Sequence, residues 1–342
     1  MVHTANFDLR LSKEDVNQIT NRFKESITLV PIIIDEKFNW ASTRIYFEYK
    51  EEGYSRKSWI LRLEVDFIDM LKTVDITESH YKIVEEKIDE YIFYIFGHTR
   101  YKLTFIRLDY RIDIKMDKSD REVLLKLYKK SYQKHGFKKV KTTKDIMGKG
   151  KYEELKKMYK GEFIDNSIYF QSKSVSVLIY DKEFERIYKG QEVQTYEKDI
   201  LRLEVALNNR HLNYKNKKYY TPKELKTYFK RGFFKRYVRD NLDLFINKGD
   251  HYKLYISEKI INNSELTQKE KEFLREFLVD VSICNLSSIM KIKNEKGKFK
   301  YTYAKRKKAL KLLEELDINP ISIPRNWKCK NHIENPLKHI DR

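Results

Sequence analysis

The sequence predicts an α+β fold, an antiparallel β-sheet with flanking helices followed by a mostly helical, basic C-terminal region. Three observations carry this. Stretches near 58–67, 101–116 and 200–207 alternate apolar and polar residues, as half-buried strands do. Apolar residues recur at helical spacing between them, and beyond about residue 210 alternation fades and helical patterns take over. The division expected is a sheet-based domain over 1–215 and a helical basic region over 216–342.

Taken in order, Ser12-Lys13-Glu14-Asp15 sets an acid three residues after a serine, the spacing of a capping box, so 12–26 reads as a helix. Arg44 to Lys50, a turn at Glu51-Glu52-Gly53, and Ser58 to Phe67 read as a β-hairpin, because β-branched and aromatic residues flank a turn. Ile83, Val84, Ile88, Tyr91, Ile92 and Ile95 fall on one helical stripe ending at Gly97, a helix that would cover one sheet face. In 101–116, Leu108, Tyr110, Ile112 and Ile114 alternate with Arg107, Asp109, Arg111 and Asp113. A basic helix over about 118–134 and a lysine-rich loop with Gly148, Gly150 and Gly161 come next. Residues 167–182 form a second hairpin turning near Gln171 to Ser174, and 200–207 is a further strand. Thr221-Pro222 would open a helix, since proline is tolerated in a first turn. Further helices are expected over Thr267 to Met290 and Ala304 to Leu316.

The chain has 342 residues, 41% of them hydrophobic, with only 10 Gly and 5 Pro, so it is long enough for real cores and poor in linkers. No apolar run reaches the roughly 18 residues of a membrane span, and Cys284 and Cys329 fit no metal-ligand spacing and are too few to staple a secreted domain. A soluble cytoplasmic protein without a membrane partner is the expectation. Charge is the strongest global signal: 71 Lys plus Arg against 51 Asp plus Glu, a net +20. Such a surplus concentrates polyanions and is commonest in proteins that bind nucleic acid. It gathers in runs at 126–160, including Lys134 and Lys138, at 215–239 and at 291–311. From these runs Lys230, Arg231, Lys235, Arg236, Lys305, Arg306, Lys307 and Lys308 are candidate DNA contacts. The plain alternative is a set of solvated helix faces.

Three stretches say nearly the same thing: Leu61-Arg62-Leu63-Glu64-Val65, Ile106-Arg107-Leu108-Asp109-Tyr110 and Leu201-Arg202-Leu203-Glu204-Val205. Each buries its apolar residues and puts an Arg-x-acid pair on the other face. If the strands are neighbours, Glu64, Asp109 and Glu204 converge and repel unless a cation sits among them, and a hard divalent ion, Mg²⁺ or Mn²⁺, is the natural occupant. The alternative is three strand faces whose arginines neutralise their own acids. Asp113 shares a face with Asp109 but lies about 13 Å along the strand, too far for one ion. In a basic protein the substrate of such a centre would be a phosphodiester, attacked by water or by a side chain. Tyr180 and Lys182, two residues apart and so on one strand face, offer a side-chain nucleophile and a cation that favours its phenolate. Met147-Gly148-Lys149-Gly150 lacks the spacing of a P-loop.

Arg107-Leu108-Asp109, then Tyr169 through Tyr180-Asp181-Lys182, then Leu201-Arg202-Leu203-Glu204 resembles, in order and rough spacing, the rolling-circle replication initiators. The likeness is nearest to the filamentous-phage gene II protein group, and Rep-trans plasmid initiators and conjugative relaxases are similar. It covers about residues 40–215. It implies a Rep-nuclease-like fold, Tyr180 as covalent nucleophile aided by Lys182, Glu64, Asp109 and Glu204 as metal ligands, and Arg107 and Arg202 near phosphate. It also implies double- and single-stranded DNA at a replication origin as partner, and a host helicase. The chain departs from initiators with a His-hydrophobe-His motif, for its eight histidines never pair that way, and no histidine is expected as a ligand. A conjugative relaxase with the same chemistry, or a DNA-binding plasmid or phage control protein without activity, are the alternatives. Oligomeric state stays open, a homodimer being one option.

Overall fold

A computed structural model describes residues 1–48, 58–131, 139–142, 149–158, 166–284, 286 and 288–340. The Glu51-Glu52-Gly53 turn, Lys134, Lys138, Gly148 and Gly161 lie outside the described residues. In chain order the first elements are β1 (Val2–Leu11), α1 (Lys13–Phe23), α2 (Val30–Lys37), β2 (Ala41–Glu48), β3 (Ser58–Asp66), α3 (Phe67–Leu71), α4 (Tyr81–Phe96) and β4 (Thr104–Lys115). Then follow α5 (Lys118–Ser131), β5 (Lys139–Thr142), α6 (Lys149–Met158), β6 (Ser167–Gln171), β7 (Val175–Asp181), α7 (Lys182–Lys189) and β8 (Ile200–Asn208). The remainder is mostly helical: α8 (Asn209–Tyr219), α9 (Leu225–Tyr228), α10 (Arg231–Ile246), β9 (His251–Tyr252), α11 (Leu254–Asn263), α12 (Gln268–Cys284), α13 (Tyr303–Glu315) and β10 (His332–Ile333).

The fold is α+β. Eight strands take the order β2-β3-β1-β4-β8-β7-β6-β5, β9 pairs with β10, and every strand pairing with a described register is antiparallel. The chain forms two compact units, each drawn from both sides of residue 215. The first comprises Met1–Arg111, Lys173–Ser176 and Glu204–Arg236; the second comprises Ile112–Ser172, Val177–Leu203 and Tyr237–Arg342.

In the first unit β1 lies between β3 and β4. Its Val2, Ala5, Phe7, Leu9 and Leu11 are buried, which leaves Thr4, Asn6 and Asp8 for the opposite face. The chain leaves β1 directly into α1, whose start is the expected capping box: Asp15 N–H donates to Ser12 Oγ and Ser12 N–H to Asp15 Oδ2. Helix α4 buries Val84, Tyr91, Ile92 and Ile95 and stops at Gly97, whose φ of 78° is the left-handed cap that glycine adopts without strain. A hydroxyl pair, Thr43 on β2 and Tyr91 on α4, 2.9 Å apart, ties this helix to the sheet.

The second unit has its own core of Ile261, Leu274, Phe277, Leu278, Val281, Ile289, Tyr301 and Leu313 from the C-terminal helices. The 247–250 turn is gripped from two sides: the Asn319 amide donates to the carbonyls of Ile246 and Gly249, and the Asn335 amide to those of Asn247 and Gly249. Gly249 has a φ of 79°, and a Cβ there would meet the Ile318 backbone at 2.4 Å, so both conformation and space demand glycine.

Three expectations change. Residues 2–11, to which the pattern above assigns no strand, form β1, whose apolar residues alternate from Ala5 to Leu11. Thr221-Pro222 opens no helix: the proline lies in the link between α8 and α9, and α8 begins earlier, at Asn209. Lys182 does not extend β7, because the Asp181 carboxylate accepts from the Phe184 N–H, caps α7, and turns the chain into a helix at Lys182.

His251 is fully buried, with Nε2 3.4 Å from the Tyr128 hydroxyl and Nδ1 3.1 Å from the Ile321 carbonyl oxygen. Burial holds its pKa down to about 4, against the opposing pull of Asp250. A folded pKa below the unfolded one makes this stability fully present above pH 6.5 and lost as pH falls towards 4, on the order of 3 kcal/mol. Urea titrations at neutral pH and near pH 4.5 check this: the wild type should lose more stability on acidification than His251→Gln, and equal losses would remove His251 as the cause.

Candidate active site

The register of β3, β1 and β4 sorts the acidic face of the first unit into rows. Thr4 stands opposite Asp66 on one side and Asp109 on the other; Asn6 stands opposite Glu64 and Arg107. Asp109 therefore shares its row with Asp66, and Glu64 lies two residues away, exposed, accepting from the Asn6 amide at 3.1 Å. One residue of β1 is extra. Val2 faces Tyr110 and Thr4 faces Asp109, so His3 is the bulged residue, and bulges re-aim side chains. Its Nδ1 lies 3.3 Å from Glu204 Oε1 and its Nε2 4.0 Å from Asp66 Oδ2. Asp66 uses its other oxygen to cap α3 through the N–H groups of Ile68 and Asp69.

Asp109 is largely buried. Arg107 forks onto it, Nε to Oδ1 at 2.8 Å and Nη2 to Oδ2 at 2.9 Å, and Thr4 Oγ1 donates to Oδ2 at 3.1 Å. Even so its pKa is raised: burial is the largest cause, the charge of Glu204 adds to it, and Arg107 and His3 only partly compensate. The donor set of Asp109, Glu204 and the His3 imidazole suits Mg²⁺ or, with an imidazole present, Mn²⁺. It is an incomplete cage, since Arg107 already occupies both oxygens of Asp109. Among the described residues no group of three His, Cys, Asp or Glu is drawn together as a ready ligand set.

In the second unit Tyr180 is the penultimate residue of β7 and is 6% exposed. Although Lys182 opens a helix, its Nζ remains 6.0 Å from the Tyr180 ring centroid. The ammonium is buried, donating to Glu185 at 2.7 Å and lying 3.5 Å from Glu197. Burial lowers its pKa, against the pull of Glu185. The residues around Tyr180 are clamped. Arg121, itself buried, donates to Asp181 at 2.7 Å, Asp199 at 3.1 Å, Glu183 at 3.3 Å and the Met116 carbonyl at 2.7 Å. Arg186 forks onto the buried Glu197.

The expected phosphate contacts divide. Arg202 is 1% exposed and forks onto Asp113 at 2.7 and 2.9 Å, so it ties strands in the interior and is not presented to a phosphate. Arg107 is engaged with Asp109. Lys230, Arg231, Arg236, Lys305, Lys307 and Lys308 are exposed, while Lys235 and Arg306 are half-buried. Of these, Lys308 pairs with Glu270 at 2.9 Å and Arg236 lies 4.7 Å over the Phe233 ring.

His3, Thr4 and Asp66 were not anticipated as site residues. His3 sits on the unread strand, and only the bulge turns it towards Glu204. The signal available was the run Val2-His3-Thr4-Ala5-Asn6-Phe7-Asp8-Leu9, which alternates from Thr4 onwards. No protein-family model matches the chain, and no curated protein matches it significantly.

Two outcomes follow from these geometries. Arg202→Ala leaves Asp113 without its buried partner and should cost about 3–5 kcal/mol in urea unfolding, most of it recovered in Arg202→Met combined with Asp113→Leu. Asp109 has a folded pKa above its unfolded one, so the cost of its charge is absent at low pH, grows as pH rises through the raised value, and is constant above it. Asp109→Asn should therefore gain on the wild type as pH is raised, and a difference independent of pH would show that the charge is not what is strained.

Proposed function

We propose that this chain is a rolling-circle replication initiator: a metal-dependent, site-specific DNA endonuclease and strand transferase that binds a double-stranded origin and nicks one strand through Tyr180. The observation that carries this reading is the approach of His3 to Glu204 on one face of a protein with a net charge of +20, where Asp109 has a raised pKa to which the charge of Glu204 contributes. A divalent cation is what that face lacks electrostatically. Asp109, Glu204 and His3 would hold it, with Asp66 beside them. When bound, Mg²⁺ or Mn²⁺ supplies polarisation of a phosphoryl oxygen and neutralises charge that builds up during displacement.

The protein's own groups supply the rest. Tyr180 loses its phenolic proton to solvent, and the nearby Lys182 ammonium favours the phenolate that is left. The phenolate oxygen attacks phosphorus, the bond from phosphorus to the 3′ oxygen breaks, and that oxygen takes up a proton to leave a free 3′ hydroxyl. The product is a 5′-phosphotyrosyl ester. Because the ester keeps the energy of the broken linkage, a 3′ hydroxyl can attack it and rejoin the strand. Arg121, Glu197 and Arg186 act by positioning: they fix the β7–α7 corner beside Tyr180. The exposed cations of α10 and α13 provide non-specific attraction for duplex DNA.

The test is incubation with a supercoiled plasmid carrying the chain's native origin and Mn²⁺, read as relaxed circles and as protein linked to a 5′ end. Tyr180→Phe should form no adduct, and an adduct formed at the wild-type rate sinks the nucleophile assignment. Glu204→Gln and Asp109→Asn should lower nicking by about a hundredfold or more while origin binding persists. Nicking at full rate by either variant would remove that carboxylate from the metal site.

A further inference from the structure

Helix α8 ends in a surface that the nicking chemistry does not use. Over 209–219 it carries Arg210, Lys215, Lys217 and Lys218 and no carboxylate. Its one aliphatic residue, Leu212, is buried, yet Tyr214 is 48% exposed, Tyr219 54%, and Tyr220, the first residue beyond the helix, 88%. Three outward tyrosines at one helix end are an informative exception to ordinary burial.

The rings are held in place rather than dangling. Tyr214 and Tyr219 meet edge to face with centroids 5.9 Å apart. One helical turn relates Tyr214 to Lys218 and Lys215 to Tyr219, and the ammoniums use that spacing. Lys218 Nζ lies 5.3 and 5.4 Å from the two ring centroids and donates to the Tyr214 hydroxyl at 2.9 Å; Lys215 Nζ lies 4.7 Å from the Tyr219 centroid. Tyr220 takes φ 51° and ψ 26°, a left-handed cap that favours glycine, and the chain after it is fastened by Asn216, whose amide donates to the Thr221 carbonyl at 3.1 Å.

We propose that the end of α8, with Tyr214, Tyr219 and Tyr220, is a docking surface for single-stranded DNA, the bases stacking on the rings and the surrounding lysines meeting phosphates. Stacking on an exposed ring requires an unstacked base, which a single strand presents and a duplex does not. Charge agrees, with four cations and no acid on the helix. A lipid surface fits worse, because an interfacial helix needs an apolar face and the only aliphatic side chain here points inward. A protein partner fits worse too, since lysine is depleted in the centres of such interfaces. This inference stands apart from the nicking reading, and holds or fails whatever Tyr180 does.

The experiment uses the full chain carrying Tyr180→Phe, so that binding is measured without cleavage. Fluorescence anisotropy would follow a labelled oligothymidylate, a duplex of equal length, and phosphatidylserine vesicles. Replacing Tyr214, Tyr219 and Tyr220 together by alanine should weaken single-strand binding at least about tenfold and leave duplex binding within about twofold. Replacing the same three by phenylalanine, which keeps the ring faces, should retain most of the single-strand affinity. Unchanged single-strand binding by the alanine variant overturns the proposal. So does an equal loss for single strand and duplex, or tyrosine-dependent binding to vesicles without binding to the oligonucleotide.

Discussion

A carboxylate taken out of water must be met by a cation, by hydrogen-bond donors or by a proton, and both units of this chain are shaped by that constraint. The common solution is an arginine, forked onto the acid in every pair below but that of Asp181, which takes a single bond. Asp8 is met by Arg62, Asp109 by Arg107, Asp113 by Arg202, Asp181 by Arg121 and Glu197 by Arg186. Arg186 and Arg62 hold charges whose pairing is the first-ranked reason for their own raised pKa, the signature of a satisfied ion pair. Asp109 differs. Its fork is complete, yet its carboxyl is still pushed upward, because burial and the charge of Glu204 together outweigh Arg107. Perturbed carboxylates of this kind cluster at functional sites, which makes Asp109 a candidate.

Much of the first unit was legible because its signals are local. The capping box at Ser12 and Asp15, the stripe of α4 and its Gly97 stop, and the alternation of β3, β4 and β8 are all set by residues within one or two turns of each other. What was not legible depends on pairing between distant segments. The three Arg-x-acid repeats look equivalent in sequence, but Arg62 serves Asp8, Arg107 serves its own strand neighbour Asp109, and Arg202 serves Asp113, partners 54, 2 and 89 residues away. Register decides likewise between Glu64 and Asp66. Both are acids on β3, and only the pairing of Thr4 with Asp66 and Asp109 shows that Asp66 shares the row. His3 is a further step removed, since a one-residue bulge turns it towards Glu204.

The corner at Tyr180 shows the same limit in a different form. Two residues of spacing would place Tyr180 and Lys182 on one strand face, but the Asp181 carboxylate competes for the backbone and wins, starting a helix in between. The two side chains stay neighbours because the ammonium is drawn inward by Glu185 and Glu197, not because a strand aligns them. The shared strand face that the spacing implies is therefore absent, and Nζ stands 6.0 Å from the Tyr180 ring centroid.

With 25 tyrosines in the chain, spacing to a lysine cannot by itself choose a nucleophile. Tyr214 has the closer partner, for Lys218 donates directly to its oxygen and is the first cause of its lowered pKa. That pair is in water, where both groups exchange protons with solvent. Tyr180 and Lys182 are buried, where charges interact more strongly than in water, and burial lowers the pKa of the lysine. Dielectric environment thus separates two tyrosines that sequence treats alike. The exposed one presents its ring to solvent, and the buried one has a buried ammonium 6.0 Å from its ring centroid.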